Sequence, residues 1–275
     1  MPSPSFLASH PRLDVLYSVN ETESGTVSAI ADGAVLGTWP TDGALPCHLA
    51  VVPGSPNRLV VANYGGGVGI LPLDPSGRPH ETTVHSGPSW HPHMVMPWED
   101  GVVYVDLGLD AVFRYGFDGT VSTLVRLRGS GPRHLVRDRR GYVHVVGESD
   151  ASVISLDPEW HEVGRVRATT AAQAFPSEIV LWNDFLYVAN RGPHTIAVFT
   201  VAAGPARFVG EVPSGGAWPR HLAIVDDYLY AANEHSNLVV TFRLDPVTGQ
   251  PRPTGAVLAT PSPTCLVFSS ASSPR

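Results

Sequence analysis

The chain is predicted to be all-β, a β-propeller built from four-stranded repeats, and three observations predict it. The first is a period. LYSVNE (16–21) returns in variant form as VVANYG (60–65), VYVDLG (103–108), VVGES (145–149), YVANRG (187–192) and YAANEH (230–235). With Asn20, Asn63, Asp106, Gly147, Asn190 and Asn233 in register, the intervals are 43, 43, 41, 43 and 43 residues. Short apolar runs recurring in the low forties mark propeller blades. The second is a marker in phase with the first: PSFLA (4–8), PCHLA (46–50), HPHMV (91–95), GPRHLV (131–136), FPSEIV (175–180), WPRHLA (218–223) and SPTCLV (262–267). The third is composition: β-branched and aromatic residues are punctuated by Gly, Asn, Asp and Pro, and no stretch shows sustained helical periodicity with caps.

Each repeat reads in the same order. Strand A follows the marker proline, which costs no ladder bond just before a strand. Strand B is the YVAN-like run. Strand C follows, as in TIAVFTV (195–201), then strand D, as in ARFVGEV (206–212). ATTAAQAF (168–175) reads as a loop, and RDRRG (137–141) as the solvated A–B turn on the opposite face. The glycines at 65–67 read as a tight turn, since no helix N-terminus stands behind them to hold phosphate. One propeller domain is expected over residues 4–268, with a frayed tail SSASSPR.

The bulk properties narrow the chemistry. A net charge of −7 argues against a general nucleic-acid or anionic-membrane binder. All 18 basic residues are arginine, which excludes Schiff-base lysines and a P-loop. An anion site must then use Arg, which grips carboxylate or phosphate with two parallel bonds. Cys47 and Cys265 begin A strands and are expected to be free; zinc-ligand spacing is absent. No signal peptide or membrane-length apolar run is visible, so a cytoplasmic protein is expected. There is no Gly-x-Ser-x-Gly elbow. No cofactor is implied.

Strands A and B are antiparallel, so the start of A and the end of B lie on one face of the disc. The A-strand starts bring His48, His91, His93, Arg133, His134, Arg220 and His221. The B–C turns bring Glu21, Asn63, Tyr64, Asp106, Glu148, Arg191 and Glu234. These form a ring around the channel mouth, where Arg, His and carboxylates suit anion binding and proton transfer. What repeats in every blade serves the blade, so Asn20, Asn63, Asn190 and Asn233 read as structural. His93, Arg133, Glu148 and Arg191 depart from the repeat and read as the catalytic candidates. His48, Tyr64, His91, His134, Arg220 and His221 read as substrate-binding candidates. Trp90 and Trp218 either wall the pocket or pack at its rim.

The ordered segments PCHLAVVPGSPNRLVVANYGGGVGILPLD, HPH, VYVDLGLDAVFRYGFD, GSGPRHLV, VVGES, VANRGPHTIAVF, WPRHLAI and AANEHSNLVVTFRLDPVTG resemble the lactonase family of seven-bladed propellers over practically the whole chain. That family includes 6-phosphogluconolactonases and carboxymuconate cyclases. The resemblance implies an active site of the His of HPH (His93, with His91 as alternative), the Arg of GPRH (Arg133), the following acid Glu148 and the Arg of ANRG (Arg191). Arg220 repeats the Pro-Arg-His pattern. The implied reaction is metal-independent hydrolysis of a sugar lactone, first of all 6-phosphogluconolactone. A muconate-type cycloisomerase, a non-catalytic small-acid or protein-binding propeller, and a calcium site on Glu21, Asn63, Asp106 and Glu234 are the alternatives. The expected partner is a small lactone or organic acid, with or without phosphate. Seven A-strand markers face six B strands. SPTCLV is thus expected as an extra C-terminal inner strand whose outer strands are missing, leaving a six-bladed ring or a gap with open edges.

Overall fold

The computed structural model describes residues 1–85 and 89–268. They form six four-stranded antiparallel sheets, each a meander of consecutive strands. Blade 1 holds β1 (Pro4–Ser9), β2 (Leu16–Asn20), β3 (Thr26–Ala31) and β4 (Ala34–Pro40). Blade 2 holds β5 (Pro46–Val52), β6 (Arg58–Asn63), β7 (Val68–Pro72) and β8 (Thr83–His85). Blade 3 holds β9 (Pro92–Trp98), β10 (Gly101–Asp106), β11 (Ala111–Gly116) and β12 (Val121–Arg126). Blade 4 holds β13 (Pro132–Arg137), β14 (Val143–Gly147), β15 (Ser152–Leu156) and β16 (Glu162–Arg167). Blade 5 holds β17 (Phe175–Trp182), β18 (Phe185–Arg191), β19 (Thr195–Thr200) and β20 (Arg207–Pro213). Blade 6 holds β21 (Pro219–Val225), β22 (Tyr228–Asn233), β23 (Leu238–Leu244) and β24 (Pro251–Ala259). Residues 168–174 form a loop and 138–141 a turn, as expected. The tail 269–275 lies outside the described residues.

Apolar residues alternate on the inner strands and feed two neighbours. Val60 and Ala62 pack against Val102 and Tyr104 of blade 3, while Leu59 and Val61 pack against Tyr17 and Val19 of blade 1. Burying each such side chain contributes about 1.5–3 kcal/mol. The repeat asparagines staple blades together. Asn63 Nδ2 donates to Thr41 O, Asn190 to Ala168 O and Asn233 to Ser214 O, each just beyond the outer strand of the preceding blade. Asn20 differs, its Nδ2 donating within blade 1 to Thr26 Oγ1 at 2.8 Å and Ser28 Oγ at 3.0 Å.

Every inner strand opens on a β-bulge. The proline pairs with the residue at the end of strand B, the next residue is skipped, and pairing resumes one further on. The skipped residues are Ser5, Cys47, His93, Arg133, Ser177 and Arg220. A bulge leaves such a residue out of the ladder and re-aims its side chain. Several reach the next blade. Cys47 Sγ lies 3.6 Å from Pro92 O, Arg133 Nε donates to Ser177 O at 2.9 Å, and Ser177 Oγ donates to Pro219 O at 2.7 Å.

The seventh marker corrects one expectation. Residues 263–267 form no strand, because no second strand stands beside them to take their ladder bonds. They nevertheless make the side-chain contacts of an inner strand. Thr264 Oγ1 donates to Pro4 O at 3.4 Å, repeating the bulge-to-next-blade contact. Leu266 N donates to His221 Nδ1 at 3.3 Å, as Val95 N donates to His48 Nδ1 at 3.4 Å. Phe268 packs on Tyr230, ring centroids 4.7 Å apart. Residues 263–268 thus lie between blades 6 and 1, and a cavity of about 830 Å³ beside them is lined by Leu7, Leu16, Ile30, Val267 and Phe268, among others.

Candidate active site

Three of the four catalytic candidates meet at one carboxylate. Arg133 leaves the bulge of β13, Arg191 ends β18, and Glu148 follows β14. Arg133 Nη1 lies 2.6 Å and Arg191 Nη2 2.9 Å from Glu148 Oε2. Each arginine is anchored through its other nitrogen. Arg133 Nε donates to Ser177 O, and Arg191 Nε to Phe175 O, both at 2.9 Å. The entry of β17 therefore holds both guanidinium groups. Gly131, at φ +56°, turns the chain into β13, where a Cβ would strike the Ser149 hydroxyl.

The electrostatics follow from burial. The Arg133 and Arg191 side chains are 8% and 9% exposed, whereas that of Glu148 is 23% exposed. Burial pushes the Glu148 carboxyl up, but the charges and hydrogen bonds of Arg133 and Arg191 outweigh it and hold it below the usual range. Burial, then the neighbouring Arg133 charge, lowers Arg191 to about 10. Glu148 is ionised and both arginines are charged at neutral pH.

His93 stands near this trio. It is buried, and Nδ1 has no hydrogen-bond partner among the described residues. Burial, then the Arg133 charge, holds it well below the ordinary histidine range, so it is neutral. Tyr64 meets His93 edge-on at 5.9 Å and stacks on His91 at 4.4 Å. His91 Nδ1 donates to the Tyr64 carbonyl at 2.8 Å, and its ring packs on Trp90. Arg191 lies over the Trp218 ring at 5.5 Å. Trp90 and Trp218 thus flank the cluster as rim packing.

The remaining candidates separate from it. Arg220 is held by Glu234 at 3.3 Å and Glu21 at 3.5 Å, bridging blades 6 and 1. His48, His134 and His221 are buried around Phe6. Phe6 lies 4.1, 6.1 and 5.6 Å from their ring centroids. Burial keeps all three histidines below their ordinary value. The ring of candidates expected at the mouth therefore divides into an Arg/Glu cluster and a histidine cluster, with His93 adjoining His134 at 5.3 Å between them.

Glu178 is the residue that sequence reasoning missed. Its carboxylate lies 2.8 Å from His134 Nδ1 and 3.4 Å from His221 Nε2. The signal was present: FPSEIV carries an acid two residues after its proline, where PCHLA, GPRHLV and WPRHLA carry His. The calcium alternative loses its donors. Asp106 accepts the backbone N–H groups of Trp90, His91 and Leu109, while Glu21 and Glu234 serve Arg220. Among the described residues no three His, Cys, Asp or Glu side chains gather as a metal site. No helix among them is long and apolar enough to cross a membrane.

The comparisons bear out an all-β propeller but name seven blades, where the described residues form six four-stranded sheets. Residues 1–268 match the family described as lactonase, 7-bladed beta-propeller. A 6-phosphogluconolactonase of Bacillus subtilis (strain 168) is 30% identical over 306 residues, covering 97% of this chain and 87% of that one. A Bacteroides uniformis crystal structure provisionally assigned as a 6-phosphogluconolactonase superposes with a TM-score of 0.86 at 26% identity, covering 96% of this chain and 88% of that one. A periplasmic gluconolactonase of Pseudomonas aeruginosa shares the fold, with a TM-score of 0.86 at 24% identity over 95% of this chain and 86% of that one.

Proposed function

The chain belongs to the lactonase family of seven-bladed β-propellers, and from that membership we propose that it hydrolyses a sugar lactone, 6-phosphogluconolactone before others, without a metal. The observation that carries this reading is the single Glu148 carboxylate shared by two buried arginines from adjacent blades. Glu148 is the most solvent-open member of the trio, so water can reach it.

In this reading Glu148 takes a proton from a water whose oxygen adds to the lactone carbonyl carbon. Negative charge passes to the carbonyl oxygen, where Arg133 stabilises it. The oxyanion then collapses, the ring C–O bond breaks, and the leaving alkoxide takes the proton back from Glu148. The product is an open-chain hydroxy acid. Arg191 and Arg220 hold the substrate's phosphate or the new carboxylate. Neutral His93 offers its free Nδ1 to a substrate hydroxyl, and Tyr64 and His91 form an adjoining aromatic wall. General-base help of this kind is worth about 10²–10⁴-fold.

The test is acid release from 6-phosphogluconolactone by the wild type and by Glu148→Gln. Equal rates would remove Glu148 from the chemistry. A second reading, cycloisomerisation of a muconate, is favoured by the separate Arg220 position, which could take a second carboxylate. Turnover of a muconate without any sugar lactone would establish it instead.

A further inference from the structure

The histidine cluster around Phe6 has a geometry that the reaction above does not use. Glu178 is buried there and makes two hydrogen bonds and one longer ion-pair contact. His134 Nδ1 is 2.8 Å from Oε1, and the Ile179 backbone N donates to Oε1 at 3.0 Å. His221 Nδ1 already accepts Leu266 N, so its Nε2 carries the proton and faces Glu178 Oε2 at 3.4 Å. The contact between His134 and Glu178 lies one residue along both strands from the Arg133–Ser177 bond. Strands β13 and β17 are thus tied twice, at consecutive positions, first by the Arg133 guanidinium on a backbone carbonyl and then by His134 on the Glu178 carboxyl.

We infer that Glu178 is a positioning residue for Arg133: by binding His134 it fixes β13 against β17 and so sets where the Arg133 guanidinium points. The geometry suits an ionised Glu178, because the Ile179 N–H donates to it and N–H groups of His134 and His221 lie within ion-pair distance of it. Protonating it places a hydrogen against His221 Nε2–H and loosens that side of the clamp. The groups facing Glu178 are His134 and Arg133 from β13, His221 from β21 and Cys265 from the tail; His48 and His93 face His134 from β5 and β9. Burial pushes Glu178 up to about 7, with His221 opposing. Burial holds His48, His93 and His134 well below the ordinary histidine range and His221 below its ordinary value, whereas it pushes Glu178 the other way.

The rate readout rests on the lactonase reading; the positional readout does not. The positional experiment follows the Arg133 Nε–H proton–nitrogen signal by NMR, assigned by its loss in Arg133→Lys. In the wild type the signal is expected to shift with a midpoint near pH 7. In Glu178→Gln, whose amide oxygen still accepts His134 and Ile179, the signal should persist and stop titrating. In Glu178→Ala it should move or broaden. On 6-phosphogluconolactone, wild-type kcat should rise through the same pH, and Glu178→Gln should show no such rise. Glu178→Ala should lose about 10- to 100-fold in kcat/KM, the scale of a misplaced catalytic group. An Arg133 signal that titrates alike in wild type and Glu178→Gln would overturn the inference, as would one unmoved in Glu178→Ala. If Glu178→Ala does not fold, the Glu178→Gln titration alone decides. Should the wild type open no lactone, the functional reading falls while the Arg133 signal still tests the positioning.

Discussion

Arg133 Nη1 lies 2.6 Å from Glu148 Oε2, the two residues standing side by side at the open end of the β13–β14 hairpin, where Pro132 pairs with Gly147. That carboxylate also neutralises Arg191 from the next blade. Removing it leaves two buried guanidinium groups facing each other. Glu148→Gln is therefore expected to lower lactonase kcat/KM by about 10²-fold or more, as measured by acid release. It should also destabilise the protein at neutral pH by about 1–3 kcal/mol, discounted because the carboxyl is partly exposed.

The same lowered carboxyl carries a pH signature. A group whose folded value is depressed contributes stability above its unfolded value and loses it as pH falls through the folded one. The difference in melting temperature between wild type and Glu148→Gln should therefore shrink on acidification below the ordinary carboxylate range. A difference that grew in acid would contradict the pairing.

Arg133→Lys is not conservative here. Arginine reaches Ser177 O through Nε and Glu148 through Nη1 at once, and an ammonium has no such fork. The variant should lose at least about tenfold in kcat/KM, equivalent to about 1.4 kcal/mol of transition-state stabilisation. Steady-state kinetics beside a thermal melt separates this from unfolding.

Glu178 shapes stability in the opposite sense from Glu148. Its folded value of about 7 lies above the ordinary glutamate value of 4.5, so the folded state holds the proton more firmly. Stability should fall as pH rises from about 4.5 to about 7, by up to about 3 kcal/mol. Glu178→Gln lacks this fall. Its melting temperature relative to wild type should therefore be higher at pH 8 than at pH 5, read by calorimetry at both.

The tail is expected to behave as part of the ring. Leu266→Pro removes the N–H that satisfies His221 Nδ1 and leaves a buried acceptor unpaired. A loss of about 1–3 kcal/mol should follow in denaturant unfolding.

The period, the strand order, the inner-strand prolines and the family were all legible in the residues, because each depends on local pattern. So were Arg133, Glu148 and Arg191, which break a pattern that the other blades keep. Three things were not. One was that SPTCLV would keep an inner strand's contacts without a ladder, since ladder bonds need a neighbour that a linear motif does not reveal. Another was the division of the ring into an Arg/Glu cluster and a buried histidine cluster. The last was Glu178. Both of the latter are decided by the bulge at the start of each inner strand, which sends adjacent residues such as Arg133 and His134 to different partners. Those partners lie across blades, as in the 44-residue separation of His134 from Glu178. Spacing says that such residues share a face, whereas side-chain direction and packing, set only when the blades close together, say which of them touch.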